Sequence, residues 1–361
     1  MADTAAASGL TVQQWDEKFF TEFLAGNRFT KEMGTNMNSM IQVKEDLTKK
    51  KGDKITFALI NKLANAATTG SSTLEGNEED MTSRSHAVTV DQRRNAVRVA
   101  LMEEQQSAIP LRNAARPALM DWKMEDFRDQ IIAEMGSING TAYASAGEAA
   151  KDAWLVDNAD RVLFGALLSN GSSGGDHSAG LGNIDNTADK LTSSAVSFLK
   201  RIAKTASPKI RPMRVNGDEQ WYTLYVGSLV FRDLQTDTTI LTATREAWTR
   251  GPANPLFTGG DLIYDGVIIK EVEDFPVLTG VGAGSIDVSR AVLCGAQAIG
   301  VGIAKRPETV DEDFDYKDKM GIAVREVIGV EKMTFGSGSG DTDDQKDHGM
   351  VTGYFAAVAD S

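Results

Sequence analysis

Two alternating segments on either side of a long polar stretch constrain the fold of this chain more than any other feature. Residues 54–63 alternate apolar and polar side chains, as a half-buried strand does. Residues 64–80 carry almost nothing that could pack in a core, and a second extended, valine-rich segment follows them. The pattern predicts a long two-stranded ribbon over residues 51–101.

Such a ribbon cannot stand alone. An isolated pair of strands is at best marginally stable in water, so it needs support from the rest of this chain or from another copy. Its second strand also changes character, because Val88 and Val90 have one parity and Val97 and Val99 the other. This change indicates a bulge or a switch of packing face.

The remaining pattern predicts a mixed α+β fold. Residues 103–136 form the longest helical stretch, in which Pro110 suits a first turn and Pro117 predicts a kink or the true start. A second amphipathic helix is predicted over residues 187–205. Short strands, brief helices and turns follow, including a hairpin over residues 262–272.

Composition excludes several classes of protein. The chain of 361 residues has 38 basic and 51 acidic side chains, a formal net charge of −13, whereas a duplex DNA binder normally has a basic face. The single cysteine, Cys294, excludes an internal disulfide framework and any multi-cysteine zinc site. No apolar run approaches the roughly 18 residues of a membrane-spanning helix. No secretory signal is visible, so we expect a soluble protein made in a cytoplasm.

Residues with catalytic chemistry are few. Asp176, His177 and Ser178 have the residue types of a hydrolase triad, but neighbours in one loop rarely form the required nucleophile–base–orienter geometry. The aspartates of residues 341–347 lack the pattern of a calcium-binding loop and predict a solvated loop. We therefore predict no enzyme activity, no metal site and no cofactor.

A series of short blocks, in a fixed order along the chain, carries a family resemblance. The blocks are similar to those of the N4-type family of tailed-phage major capsid proteins from about residue 12 to the C-terminus. They include Trp15-Asp16-Glu17-Lys18-Phe19-Phe20, Ile41-Gln42-Val43-Lys44-Glu45-Asp46, Leu74-Glu75-Gly76-Asn77-Glu78-Glu79, Val88-Thr89-Val90-Asp91-Gln92, Ile263-Tyr264-Asp265-Gly266-Val267 and Leu293-Cys294-Gly295-Ala296-Gln297-Ala298.

The resemblance implies the Hong Kong 97-type capsid fold. Residues 1–50 would form the N-terminal arm, residues 51–101 the extended loop, and residues 102–214 the long spine helix and the peripheral domain. Residues 215–310 would form the axial domain, and residues 311–361 would return as strands to the peripheral domain. In this fold the extended loop lies across the adjacent subunit, which would explain a ribbon without support of its own.

The resemblance also implies a function. The chain would be a major capsid protein that self-assembles as hexamers and pentamers into an icosahedral shell around double-stranded DNA, without sequence-specific binding. It would reside in the virion after assembly in the host bacterial cytoplasm. Portal and decoration proteins would be partners. Because the family-like sequence begins near Trp15, we expect a separate scaffolding protein. A cellular nanocompartment shell of the same fold stays open as an alternative, and a cytoplasmic hydrolase using His177 and Ser178 is less favoured.

We expect subunit contacts along the ribbon and on the aromatic N-terminal segment, whose alternative role is ordinary core. If the ribbon lies across a neighbour, its apolar side chains, Ile55 among them, are buried only after assembly. If it folds back on its own body, the same side chains are buried internally. The expected contact residues are Trp15, Phe19, Phe20, Phe57, Leu59, Leu74, Val88 and Val90.

Overall fold

A computed structural model provides the structure of the chain. It describes residues 29–45, 52–63, 65–107, 110–171, 174–215, 219–242, 262–338, 340 and 342–359. The predicted contact residues Trp15, Phe19 and Phe20 lie outside the described residues. Among the helices that are described, none combines the length and the apolar character needed to cross a membrane.

The described part of the chain contains six α-helices. They are α1 (Leu101–Gln106), α2 (Leu111–Met135), α3 (Glu148–Asp157), α4 (His177–Gly182), α5 (Ser193–Thr205) and α6 (Ser228–Thr236).

Strands outnumber helices, and most of them are short. In the first half of the chain they are β1 (Met33–Gly34), β2 (Ile41–Lys44), β3 (Lys54–Ile60), β4 (Ser83–Thr89), β5 (Asp91–Ala100), β6 (Val162–Phe164) and β7 (Met213–Val215). In the second half they are β8 (Glu219–Gly227), β9 (Leu262–Tyr264), β10 (Val267–Val272), β11 (Val277–Leu278), β12 (Val288–Cys294), β13 (Ile299–Phe314), β14 (Lys319–Lys332), β15 (Thr334–Gly336), β16 (Gln345–Asp347) and β17 (Met350–Ala356).

The chain divides into two compact units. The described residues of the smaller unit are 92–107, 110–127 and 305–327. Within it, Ala115 and Leu119 of α2 pack against Ile322 and Val324 of β14. These apolar contacts form the core of this unit.

Helix α2 confirms the long helix that the sequence predicts over residues 103–136, but it begins at Leu111. The residues before it form the separate helix α1. The first turn of α2 is prepared by Pro110, whose carbonyl accepts hydrogen bonds from the N–H groups of Asn113 and Ala114. Pro117 lies inside α2 and does not mark its start. The first turn of a helix tolerates proline because its N–H groups have no partner within the helix, which suits Pro110. Pro117 lies in the second turn, where a proline removes one hydrogen bond of the helix.

The larger unit is built on a sheet with helices on both faces. The main path of this sheet has the order β6-β17-β12-β8-β10-β9, and β11 and β7 pair with β12 and β8. In β6, Leu163 joins a core cluster with α5 and α6, whereas Val162 and Phe164 join another cluster with α3 and α4. Because successive residues of a strand point to opposite faces, the two clusters lie on opposite faces of the sheet.

The hairpin predicted from residues 262–272 is confirmed. Strands β9 and β10 are antiparallel, with Tyr264 opposite Val267. The two turn residues, Asp265 and Gly266, have φ angles of 47° and 70°. Positive φ at both central residues is the type I′ geometry that an Asp-Gly pair favours.

The predicted ribbon is shorter than the alternation suggests. Strands β3 and β4 pair as antiparallel neighbours, with Phe57 opposite His86. This pairing stops at Thr89, because β5 belongs to a five-stranded sheet of order β1-β2-β13-β14-β5. The prediction of one two-stranded ribbon up to residue 101 is therefore wrong beyond Thr89. The parity change reflects a switch from one sheet to another.

Candidate assembly surfaces

The part of the β3–β4 ribbon that contains Ile55, Phe57 and Val88, which we call the ribbon root, is buried in its own chain. Ile55, Phe57 and Val88 are at most 3% exposed, and they pack with Met333 and Phe335. The expectation that these ribbon side chains are buried only after assembly is therefore wrong. The segment around β15 already supplies an apolar surface for them, so the ribbon root folds back on its own body.

Three glycines let the ribbon root lie flat on the strands beneath it. This glycine seat consists of Gly300 and Gly302 of β13 and Gly329 of β14. A Cβ atom on Gly329 would lie 2.0 Å from the carbonyl oxygen of Thr89, and one on Gly302 would lie 3.0 Å from a side-chain carbon of Ile55. Any larger residue at Gly329 would push the ribbon backbone away.

A polar contact also holds the same root. One carboxylate oxygen of Glu331 accepts a hydrogen bond of 2.8 Å from the backbone N–H of Thr89. The second oxygen lies 3.3 Å from Nε2 of His86, whose Nδ1 is 3.3 Å from the Thr334 hydroxyl. The root is thus fixed by apolar, steric and polar contacts within one chain.

The far end of the ribbon is different. We call residues 65–82 the ribbon tip; it contains no helix or strand, and most of its residues are exposed. Its large apolar side chains, Leu74 and Met81, are 64% and 68% exposed. Of the other predicted contact residues, Leu59 and Val90 are half-buried against the root cluster. Contact of any of them with a neighbouring subunit stays a prediction.

The residues of the hydrolase alternative do not form a catalytic triad. The Asp176 carboxylate caps α4, accepting hydrogen bonds from the Ala179 N–H at 2.9 Å and the Ser178 hydroxyl at 2.8 Å. His177 is buried, and its Nε2 lies 3.2 Å from the Tyr354 hydroxyl. Burial lowers the pKa of His177 to about 4. Ser178 therefore bonds to the capping aspartate, and the histidine belongs to the core.

Three carboxylates near α3 and α4 come close enough to be considered as a metal site. Oxygens of Glu148, Asp152 and Asp176 lie within 4.8 Å of one another. Each already has a protein partner: Lys151 lies 3.7 Å from Glu148, and Asp152 accepts a 2.8 Å hydrogen bond from the backbone N–H of His177. The arrangement is accounted for by these contacts without an ion.

One aspartate of the acidic loop is buried. The prediction of a solvated loop is wrong for Asp347, whose Oδ2 lies 2.8 Å from Nζ of Lys332. The prediction fits Asp343 and Asp344, which are exposed, and Asp341 lies outside the described residues. A buried partner lysine in a distant strand cannot be read from the spacing of aspartates along one loop.

Comparison with known proteins identifies the family. The family described as phage capsid protein matches residues 3–359. This chain belongs to the phage capsid protein family.

Individual phage capsid proteins agree with that assignment. The chain is 30% identical to the major capsid protein of Pseudomonas phage KPP25, over 95% of this chain and 94% of that protein. It is similar to a chain in the cyanophage Pam1 capsid asymmetric unit, with a TM-score of 0.88, 34% identity and full coverage of both chains. The capsid of Ralstonia phage GP4 gives a TM-score of 0.77 at 21% identity, again over both full chains.

These similarities confirm the central sequence predictions. The fold is the mixed α+β, Hong Kong 97-like fold of phage capsids, and the function is that of a major capsid protein of a tailed phage. As a phage capsid component, the chain is part of the virion. Assignment to the N4-type branch of the family stays a prediction.

Sequence reasoning missed the glycine seat and the buried Lys332–Asp347 pair. The first had a signal, because Gly300 and Gly302 interrupt an apolar strand at alternate positions, a pattern that marks close approach of another backbone. The buried Lys332–Asp347 pair had no such signal, because Lys332 lies in a strand in which apolar and polar residues alternate in the usual way.

Proposed function

We propose that this capsid protein assembles as hexamers and pentamers into an icosahedral shell, and that each subunit reaches its neighbour with the ribbon tip. The observation that carries this proposal is the contrast along one ribbon. Phe57 at the root is 2% exposed, whereas Leu74 at the tip is 64% exposed. A ribbon whose root is packed on its own subunit and whose tip exposes apolar side chains is suited to join subunits that fold before they assemble.

The apolar surface of the tip supports this role. Leu74 and Met81 lie on it, and Ile60 and Leu63 lie at its entrance, all more than half exposed. Burying such a side chain contributes roughly 1.5–3 kcal/mol, so four of them could supply a large part of a subunit contact.

We infer the same division of the chain as the family resemblance implies. Residues 1–50 form the N-terminal arm, residues 51–101 the extended loop, and residues 102–214 the spine helix with the peripheral domain. Within the extended loop only β3 and β4 pair with each other, up to Thr89. Residues 215–310 form the axial domain, and residues 311–361 return to the peripheral domain. Helix α2, with 25 residues, supports the assignment of a spine, since it is about 37 Å long.

The net charge of −13 supports a container for DNA. An acidic inner wall repels DNA and keeps it from adsorbing. Such a shell would enclose DNA without sequence-specific binding. We propose that the protein has no catalytic activity and assembles in the host bacterial cytoplasm. Its partners would be further copies of itself, a separate scaffolding protein, a portal protein and decoration proteins.

Deletion of residues 66–79 tests the role of the ribbon tip. The segment lies outside the apolar clusters, so the purified subunit should melt within a few degrees of the full chain by scanning calorimetry. It should fail to form shells in electron micrographs under conditions in which the full chain assembles.

A control variant replaces the same residues with a glycine–serine linker of equal length. It keeps the chain connected over the original distance but removes Leu74 and three acidic side chains. It should fail to assemble in the same way. Heat-stable shells from either variant would contradict the proposal.

A further inference from the structure

A short part of this acidic chain is strongly basic. Residues 190–215 contain seven lysines and arginines and no aspartate or glutamate, whereas the whole chain has a net charge of −13. Five of these cations are exposed at the end of α5 and in the segment that follows it. We call these five the basic strip: Arg201, Lys204, Lys209, Arg211 and Arg214.

No cation of the basic strip forms an ion pair within the described residues. Its neighbour Lys200 pairs with Asp265 at 2.9 Å, and Lys190 pairs with Asp233 at 3.4 Å. In contrast, none of the five strip cations has a carboxylate within salt-bridge distance in the part of the chain that is described. Arg201 lies over the Phe198 ring, 4.6 Å from its centroid. Lys204 acts on the Asp265 carboxylate only at longer range, as one of the causes that lower the pKa of Asp265. The strip therefore presents positive charge that no ion pair neutralises.

The backbone that carries the strip is held firmly. Ile210 is buried, and its N–H donates a 3.0 Å hydrogen bond to the carbonyl of Ala203. The carbonyl of Arg211 accepts a 2.7 Å hydrogen bond from the N–H of Ala296. A Cβ atom on Gly295 would lie 2.3 Å from that same carbonyl, so the strip passes in direct contact with the sheet. Charges on a fixed backbone lose less entropy on binding.

The ribbon tip carries the opposite charge. It contains four acidic residues and no lysine or arginine. Glu75, Glu78 and Asp80 are exposed, and Glu79 is half-buried. Within the described residues, no carboxylate of the tip forms an ion pair with a strip cation of the same chain.

The position of the ribbon root explains why the two surfaces can meet between copies. Strand β3 ends beside the middle of the strip, where Leu59, Asn61, Ser207 and Pro208 line a cavity of about 230 Å³. The chain between β3 and β4 must run outward and return, so half of its residues set its reach. At roughly 3.3 Å per residue, the tip can extend by up to about 35 Å from there. A neighbour displaced along the ribbon direction would present its own strip to this tip.

We propose that the acidic ribbon tip of one subunit lies on the basic strip of the adjacent copy. This inference rests on the proposed function and names the surface that receives the tip. Such a contact joins two different surfaces of identical chains, and its repetition closes a ring when the rotation between neighbours is a whole fraction of a turn.

The charge pairs set the register and the rate of assembly more than its final strength. Each exposed ion pair contributes little alone, and salt screens it beyond about 8 Å at physiological ionic strength. Several opposite charges on two facing surfaces nevertheless steer encounter and disfavour wrong contacts. Assembly of the natural protein should therefore slow as salt concentration rises.

Charge exchange tests the proposal. One variant carries Lys209→Glu and Arg211→Glu, a second carries Glu75→Lys and Glu78→Lys, and a third carries all four changes. Each two-residue variant should assemble about tenfold more slowly than the natural protein at 50 mM NaCl, measured by light scattering and electron microscopy. The four-residue variant, which keeps the natural net charge, should recover to within about threefold. All substituted side chains are exposed, so melting temperatures should be unchanged.

Three results would overturn the inference. Unchanged assembly of the strip variant, together with failure of the tip deletion, would mean that the tip docks elsewhere while the proposed function stands. A four-residue variant as slow as the worse of its two parents would exclude direct pairing. Normal shells with reduced DNA retention in the strip variant would assign the strip to nucleic acid and contradict the inference. Failure of the proposed function itself is distinguishable, because the tip deletion would then form shells.

Discussion

The ammonium group of Lys332 lies 2.8 Å from Oδ2 of Asp347, and each side chain is only 2% exposed. Lys332 also donates a 2.6 Å hydrogen bond to the carbonyl of Ser137, and the Trp154 indole N–H lies 3.3 Å from the same carboxylate oxygen. The pair thus connects β14 to the segment that follows α2 and to β16. It lies just before Met333, which contacts the ribbon root.

Removal of one member of this pair should be costly. Lys332→Met leaves a buried carboxylate without its cation, so the free energy of unfolding should fall by about 3–5 kcal/mol in urea denaturation. The combined variant Lys332→Met and Asp347→Leu should recover much of this loss, since it leaves no unpaired charge. A free energy of unfolding of Lys332→Met within about 1 kcal/mol of that of the natural protein would contradict the buried pairing.

The two ends of the ribbon should respond differently to truncation. Phe57→Ala removes a ring from the root cluster and should lower the free energy of unfolding of the isolated subunit by about 3–5 kcal/mol. Leu74→Ala should leave that stability unchanged, because Leu74 is 64% exposed, and should reduce shell yield instead. Equal effects of the two substitutions on the isolated subunit would refute this division.

The glycine seat should tolerate no methyl group at Gly329. Gly329→Ala places a Cβ atom against the carbonyl oxygen of Thr89, so the ribbon root must shift. We expect faster amide hydrogen exchange in β3 and β4. Gly147→Ala is the matched control, because its Cβ meets nothing within 4 Å and its φ angle of −67° suits alanine. Protection of β3 and β4 that is equal in both variants would argue against a steric seat.

Acid should destabilise the subunit in part through His177. Burial lowers the pKa of His177 from 6.5 to about 4, so between these values the unfolded chain holds a proton that the folded chain lacks. The stability contribution is complete above pH 6.5 and is lost as the pH falls towards 4.

The variant His177→Gln tests this linkage. The fall in unfolding free energy between pH 7.5 and pH 4.5 should be smaller in this variant, by up to about 2.7 kcal/mol. A slope remains, because burial also lowers the pKa of His348 to about 4. The comparison uses slopes, so a constant cost of the substitution does not affect it. Identical slopes in the two proteins would contradict a buried neutral His177.

Local pattern predicted much of the fold. The Asp265-Gly266 pair specifies its turn through backbone geometry alone, and the apolar spacing of α5 specifies a helix with one buried face. The capping role of Asp176 is also local, since its partners lie two and three residues away. Such features need no knowledge of distant segments.

The candidate contact surfaces were less accessible to sequence reasoning. Alternation predicted that Phe57 and Val88 face an apolar surface, but it carries no information on whose surface that is. Met333 and Phe335 lie more than 240 residues further along the chain, and the fold brings them beneath the ribbon. The end of β3–β4 pairing at Thr89 likewise depends on β14, a long-range partner of β5.

Electron cryomicroscopy of shells assembled from the full chain shows on which subunit each ribbon tip lies. We expect hexamers and pentamers in which the root at Phe57 packs on its own subunit and the tip at Leu74 packs on the adjacent one. Shells in which the tip folds onto its own subunit, or a chain that stays monomeric under every assembly condition, would contradict the proposed function.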